Sequence, residues 1–213
     1  TGPTLGTDSS PYDNIFLNDS GTTWLGGFTA SSGTFQRINN LTVEGGHNEI
    51  GGRYTTDGPD LRVDGDFTVA DGARFFTVPY SPNRIDFYGA VTVGNGAVIG
   101  IDDNTSDSGY WNLSGATSIS LDGAELRDMT NNWRWNPPRW DFGTATINLT
   151  NTNTFNLEQD VVNSPRSGVD TRGSLQQTIT NAIVGSGGIA KTGAATLVLD
   201  SAANTYSGAT AID

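Results

Sequence analysis

The sequence predicts an all-β fold, a parallel β-helix (β-solenoid) with coils of roughly 24–28 residues. Three observations carry that expectation. A glycine-alanine block recurs at a nearly constant interval. Short strands with alternating apolar residues fill the space between blocks. An Asp-Gly or Asn-Gly pair returns once per coil.

The elements follow in chain order. Residues 1–40 read as an N-terminal cap or an irregular first coil, because Tyr12, Phe16, Trp24, Phe28 and Phe35 crowd a Gly- and Ser-rich background. A solenoid end exposes core side chains and unpaired strand edges that need cover. The sharper reading makes Tyr12, Phe16 and Trp24 a contact surface for another subunit. Residues 41–213 read as the solenoid itself. Gly-Asp-Phe-Thr-Val-Ala-Asp-Gly-Ala at 65–73 returns as Gly-Ala-Val-Thr-Val-Gly-Asn-Gly-Ala at 89–97. A looser copy spans Gly115 to Ala124, and a decayed one begins at Gly143. The separation is 24 residues from Ala73 to Ala97, 27 from Ala97 to Ala124, 28 from Leu121 to Leu149 and 26 from Val43 to Val69.

A β-sandwich with evenly spaced strands is the alternative. Two details favour the helix. Phe75, Ile99 and Leu126 stand at the same place in successive copies, where a parallel stack sets them above one another. Asp71-Gly72, Asn95-Gly96 and Asp122-Gly123 recur once per copy, which suits a repeated corner better than isolated hairpins. Phe67 and Val69, then Val91 and Val93, put apolar groups on one strand face with threonine on the other. No stretch shows sustained helical periodicity; Leu157 to Val162 would make one short turn at most.

Composition agrees with a narrow core and many turns. The hydrophobic fraction is 35% and glycine contributes 28 residues, and the regular spacing of the apolar residues argues against disorder. Eleven basic against 23 acidic residues give a net charge of -12. That charge repels phosphate, so neither nucleic-acid binding nor docking on anionic lipid is expected. It attracts divalent cations. Cysteine is absent, which removes disulfides, thiol catalysis and Cys-ligated metals. No apolar run is long enough for a membrane-spanning helix. The chain starts at Thr1 without a leader, so a processed chain or a piece of a longer one is expected.

Candidate sites come next. The insertion at 131–140 holds Trp133, Arg134, Trp135, Arg139 and Trp140 around adjacent prolines. Exposed tryptophans stack on sugar faces, and arginines pair with carboxylates or indoles. The insertion therefore reads as a glycan or protein contact, or as a loop folded onto the solenoid flank; Trp111 would join the same patch one coil earlier. Asp57, Asp60, Asp64, Asp66 and Asp71 crowd one coil, and Asp102, Asp103 and Asp107 crowd the loop of the next. Calcium is the one cofactor such oxygens would hold, with Asp102, Asp103 and Asp107 the candidate ligands; solvated corners are the plainer reading. Paired acids also suggest a polysaccharide hydrolase or lyase. Adjacent strand residues such as Asp102 and Asp103 point to opposite faces, however, and His47 beside Glu49 reads as a surface hydrogen bond. No catalytic activity is expected. Asn-x-Ser/Thr sequons begin at Asn18, Asn40, Asn104, Asn112 and Asn148.

The last forty residues, 174–213, carry a family signature in Gly185, Gly187, Ile189, Lys191, Gly193, Thr196, Leu197, Leu199, Asn204, Tyr206, Ser207, Gly208, Thr210 and Ile212. The segment resembles the autotransporter-associated β-strand repeat (passenger-associated transport repeat) of bacterial surface proteins built as right-handed parallel β-helices, which implies the same right-handed parallel β-helix for this chain. It departs from the pattern at Ala195 and Ala202, where the family has glycine, and in lacking a following Gly-Thr-Leu strand. The repeat-like part is placed at 185–213. The resemblance implies an extracellular or cell-surface scaffold with no catalytic signature. The expected function is a structural or adhesive solenoid stacking head-to-tail on further copies, or on further repeats of a longer chain. Tyr12, Phe16, Trp24, Tyr206 and Ile212 mark its ends. A glycan-binding module using the Trp-rich loop is the alternative.

Overall fold

The computed structural model describes residues 14–17, 21–24, 35–51, 60–77, 84–101, 110–128, 140–157, 176–193 and 195–213. Among the described residues twenty-two short strands wind as successive three-strand coils. The first is β1 (Ile15–Leu17), β2 (Gly21–Trp24) and β3 (Phe35–Ile38); the second is β4 (Leu41–Val43), β5 (His47–Gly51) and β6 (Asp60–Val63). The third is β7 (Phe67–Val69), β8 (Arg74–Thr77) and β9 (Ile85–Phe87); the fourth is β10 (Ala90–Val93), β11 (Val98–Ile101) and β12 (Trp111–Asn112). The fifth is β13 (Ser118–Asp122), β14 (Glu125–Asp128) and β15 (Trp140–Asp141); the sixth is β16 (Ile147–Thr150), β17 (Thr152–Leu157) and β18 (Gln176–Ile179). The seventh is β19 (Ile183–Gly185), β20 (Gly188–Thr192) and β21 (Thr196–Leu199), and β22 (Thr210–Ile212) opens an eighth.

Each of the first five coils contributes one strand to each of three faces. The first face orders β1-β4-β7-β10-β13-β16-β19, and the second orders β2-β5-β8-β11-β14-β17-β20-β22. The third orders β15-β12-β9-β6-β3, with β18-β21 as a separate pair. Every pairing among the described residues is parallel. This is the parallel β-solenoid that the repeats predict, and it excludes the sandwich, whose sheets would be antiparallel. No helix occurs among the described residues.

The register is the predicted one. Phe75 pairs with Ile99, Ile99 with Leu126, and Leu126 with Phe155. Val43 pairs with Val69, and Leu121 with Leu149. The corners also recur. Gly72, Gly96 and Gly123 have φ of 69°, 67° and 58°, a region L side chains avoid. In the sixth coil Asn151 takes that position at φ 54°, the residue type that best tolerates it after glycine. Its side-chain amide donates to Asp122 Oδ1 at 2.6 Å, tying the corner to the coil below.

Coil length departs from the expectation at two places. Leu149 pairs with Gly185, 36 residues on, and Ile189 pairs with Thr210, 21 residues on. The excess lies in the connection 158–175, between the second and third faces. The ladder constrains only paired residues, so a connection can lengthen without shifting register.

The core is a column of inward side chains. Leu41, Phe67, Val91, Ile119 and Ile147 line the first face, each 1% exposed or less. From Phe67 of that column six rings form a continuous run, Phe67, Phe75, Phe87, Trp111, Trp140 and Phe142, with neighbouring centroids 4.7–6.1 Å apart. β1, β2 and β3 pair in parallel with β4, β5 and β6 and so already lie in these ladders.

Candidate functional site

The third face departs most from a plain scaffold. Four of its five strands place a polar residue between two apolar ones: Leu61-Arg62-Val63, Ile85-Asp86-Phe87, Trp111-Asn112-Leu113 and Trp140-Asp141-Phe142. Strand alternation turns the apolar pair inward and the polar residue outward. Parallel register then stacks Arg37, Arg62, Asp86, Asn112 and Asp141 in one outward column, one strand spacing apart. That spacing is about 4.8 Å.

The column is extensively paired. Asp64 accepts from Arg37 Nε at 2.8 Å and from Arg62 Nε at 2.6 Å. Burial raises the pKa of its carboxyl, but the hydrogen bonds and charges of both guanidiniums outweigh that, and the net shift is downward. Asp86 is 1% exposed and accepts from Arg84 Nε at 2.5 Å and Asn112 Nδ2 at 2.7 Å. Arg62 lies 3.9 Å over the ring of Tyr88, and Arg84 lies 5.8 Å over that of Tyr110. The Tyr110 hydroxyl donates to Asp141 Oδ2 at 3.2 Å. Burial, then the Asp141 charge and hydrogen bond, hold the Tyr110 pKa above its ordinary value, so the phenol stays protonated.

Above Asp141 the ladder breaks. Where β18 would pair with β15, two side-chain amides bridge instead. Gln177 Nε2 donates to Trp140 O at 2.9 Å, and Asn181 Nδ2 donates to Phe142 O at 3.0 Å and Ala145 O at 2.6 Å. The break opens a cavity of about 340 Å³. The sequence reading missed this site. Its signal was legible in the four apolar-polar-apolar triplets and in Tyr110, but the triplets are too short to stand out without the register.

The residues singled out in the sequence fall in several places. Trp140 is 2% exposed and lies inside the coil, with its ring centroid 4.9 Å from that of Trp111. It is therefore a core side chain and not an exposed stacking surface; the strand alternation that turns Asp141 outward turns Trp140 in. Trp111 does sit one coil earlier in register with it, also fully buried. Trp133, Arg134, Trp135 and Arg139 lie outside the described residues, as do Asp102, Asp103, Asp107 and Tyr12. Phe16 is 62% exposed on β1. Trp24 belongs to β2, an edge strand of the second face. At the opposite edge, Ile212 on β22 is 82% exposed. Tyr206 is half-buried against the core, its hydroxyl 2.7 Å from that of Thr210.

Of the first acidic cluster, Asp64 holds its two arginines, while Asp66 and Asp71 accept backbone N–H groups of the next coil, from Ala90 and Asn95, both at 2.9 Å. These carboxylates are inter-coil rungs. No group of three or more metal-ligating side chains occurs among the described residues. His47 Nε2 lies 3.1 Å from Glu49 Oε1, the surface hydrogen bond expected of it. Asn112 is buried against Asp86, which denies its sequon to a glycan in the folded chain. No helix among the described residues is long and apolar enough to cross a membrane.

The geometry so far defines a class, a parallel β-solenoid whose acidic surface carries an ordered polar face. Residues 189–213 match the family model of the passenger-associated transport repeat. No curated protein and no solved structure matches the chain. The matched segment is β20 through β22 with its connections. Asn204 Oδ1 accepts from Ile183 N at 2.9 Å, and Ser207 N donates to Gly185 O at 3.0 Å, so the repeat docks along β19 by backbone and amide bonds. Within it Lys191 is 7% exposed and stacks between Phe155 and Ile212. Burial lowers its pKa, and its ammonium donates to the carbonyls of Thr192 at 2.8 Å and Gly193 at 2.5 Å.

Proposed function

We propose that the chain is an exported, surface-exposed structural solenoid that stacks head-to-tail on further coils, supplied by more of the same polypeptide or by another copy. The observation that carries this reading is the second face. Its strands run in one unbroken parallel order, with β2 at one edge and the repeat-family strand β22 at the other. An edge strand offers a row of unpaired N–H and C=O groups to a partner strand. Here both edges belong to the same sheet and point the same way, so β22 of one unit is oriented to pair in parallel with β2 of the next. Such a contact is heterologous and propagates. Exposed Ile212 would gain a neighbour, as each core residue beneath it has. The family match supports export and a scaffold role, and the lack of cysteine suits either.

Sedimentation velocity over a range of concentrations tests the idea. Self-association that weakens in Ile212→Lys is expected, because a charge at the stacking position opposes desolvation. A single monomeric species at every concentration would remove the assembly reading and leave the scaffold role.

A further inference from the structure

We infer that the break in the third face is a binding site for a neutral, hydroxyl-rich ligand, a single sugar or the end unit of a glycan. Six residues give the cavity its chemistry: Tyr110, Asp141, Gly143, Thr178, Thr180 and Asn181. Trp140 and Phe142, the core residues flanking Asp141, also line it. At about 340 Å³ it falls at the small end of ligand pockets, which start near ~300 Å³.

The lining selects its ligand by hydrogen-bond sense. Asp141 is held in place by the Gly143 N–H on Oδ1 at 2.9 Å and the Tyr110 hydroxyl on Oδ2 at 3.2 Å. Each oxygen keeps further lone-pair capacity. Asn181 commits its amide hydrogens to Phe142 O and Ala145 O, which leaves its Oδ1 as an acceptor. Thr178 Oγ1 accepts from Gln176 Nε2 at 3.0 Å and keeps its own hydrogen to donate. The set is rich in acceptors with a few hydroxyl donors, complementary to vicinal hydroxyls. An anionic ligand would meet the Asp141 carboxylate within a chain of net charge -12. Two features indicate a built site rather than a packing defect. The backbone ladder is replaced by specific side-chain amides, Gln177 and Asn181, that hold the two coils apart at fixed geometry. The tyrosine is fixed from two sides, by Arg84 over its ring and by Asp141 at its hydroxyl. Of the residues that carry this proposal only Trp140 belongs to the Trp-rich insertion, and the proposal stands whether or not the units assemble.

Saturation-transfer NMR on the intact chain tests it, with glucose, galactose, mannose and N-acetylglucosamine as probes. At least one probe is expected to bind with a millimolar Kd, the range for a ligand of about a dozen heavy atoms. Tyr110→Phe and Asp141→Asn are each expected to weaken that binding at least about fivefold, the size of one lost hydrogen bond. Thr178→Val changes an outward strand position, so it serves if either of the others lowers the melting temperature. Trp133→Ala/Trp135→Ala should leave binding unchanged. Absence of transfer from all four probes would overturn the proposal. So would binding indifferent to the cavity variants, or binding lost only with the two tryptophans.

Discussion

Gly100 shows how little room a coil leaves. It lies on β11 with φ 135°, and a Cβ built there would stand 2.0 Å from Arg127 O and 3.0 Å from Trp140 Cζ2. One contact is backbone of the next coil and the other is a buried ring, so neither can retreat cheaply. Gly100→Ala combines a disfavoured φ with overpacking and is expected to destabilise by about 2 kcal/mol or more. A thermal melt would show a drop of about 4 °C or more for a chain of this size; an unchanged midpoint would mean that Trp140 can repack. Asn153 makes a similar point with polarity. It is fully buried, accepts from Ala124 N at 2.8 Å and donates to the carbonyls of Thr150 and Asn151, both at 3.2 Å. A buried amide is tolerated there because its polar atoms are partnered.

Between coils, stability resides in stacked columns. Trp111 is the centre of the aromatic run, in contact with Phe67, Phe75, Phe87 and Trp140. Its indole N–H is buried and has no hydrogen-bond partner, and the same holds for Trp140. Trp111→Ala is expected to cost about 3–5 kcal/mol, through lost burial and the cavity left behind. Trp111→Phe should cost much less, because it keeps a ring and removes an unsatisfied donor. Chemical denaturation of both variants would settle the order; equal losses would show that the indole N–H is satisfied in solution. The polar columns respond to acid instead. Glu125 resembles Asp64: burial raises its pKa, but Arg127 and Asn156 hydrogen bonds and the charges of Arg127 and Arg74 lower it overall. A carboxylate whose folded pKa is depressed contributes stability above its unfolded pKa, near ~4, and loses it as pH falls through the folded value. The solenoid should therefore hold its stability down to about pH 4 and lose it below. Asp64→Asn should flatten that acid limb in a pH series of melts, and an unchanged limb would assign it to other carboxylates.

For the whole molecule, the sequence was legible wherever one residue type repeats at one place. Phe75, Ile99 and Leu126 could be aligned before any coordinates, because each coil must refill the same core position. The corner glycines were legible for the same reason. Trp140 misled because three tryptophans in one short stretch look like one feature, whereas the strand begins within it and turns the last inward. The cavity escaped notice because it arises from a missing pairing, β15 without β18, and an absent hydrogen bond has no residue to mark it. Assembly too belongs at this scale. With a net charge of -12, units approaching end to end repel one another, so their association should strengthen as added salt screens that repulsion.

The longer connections have a consequence for what the molecule can measure. From 25–34 through 158–175 they all fall, in chain order, between a strand of the second face and the strand that follows it. Between paired positions a coil may use 21 residues or 36, yet it adds the same rise of about 4.8 Å. Contour length and axial length are thus uncoupled. The solenoid is a ruler graduated in coils, and one of its corners can be rewritten in sequence without moving a single graduation.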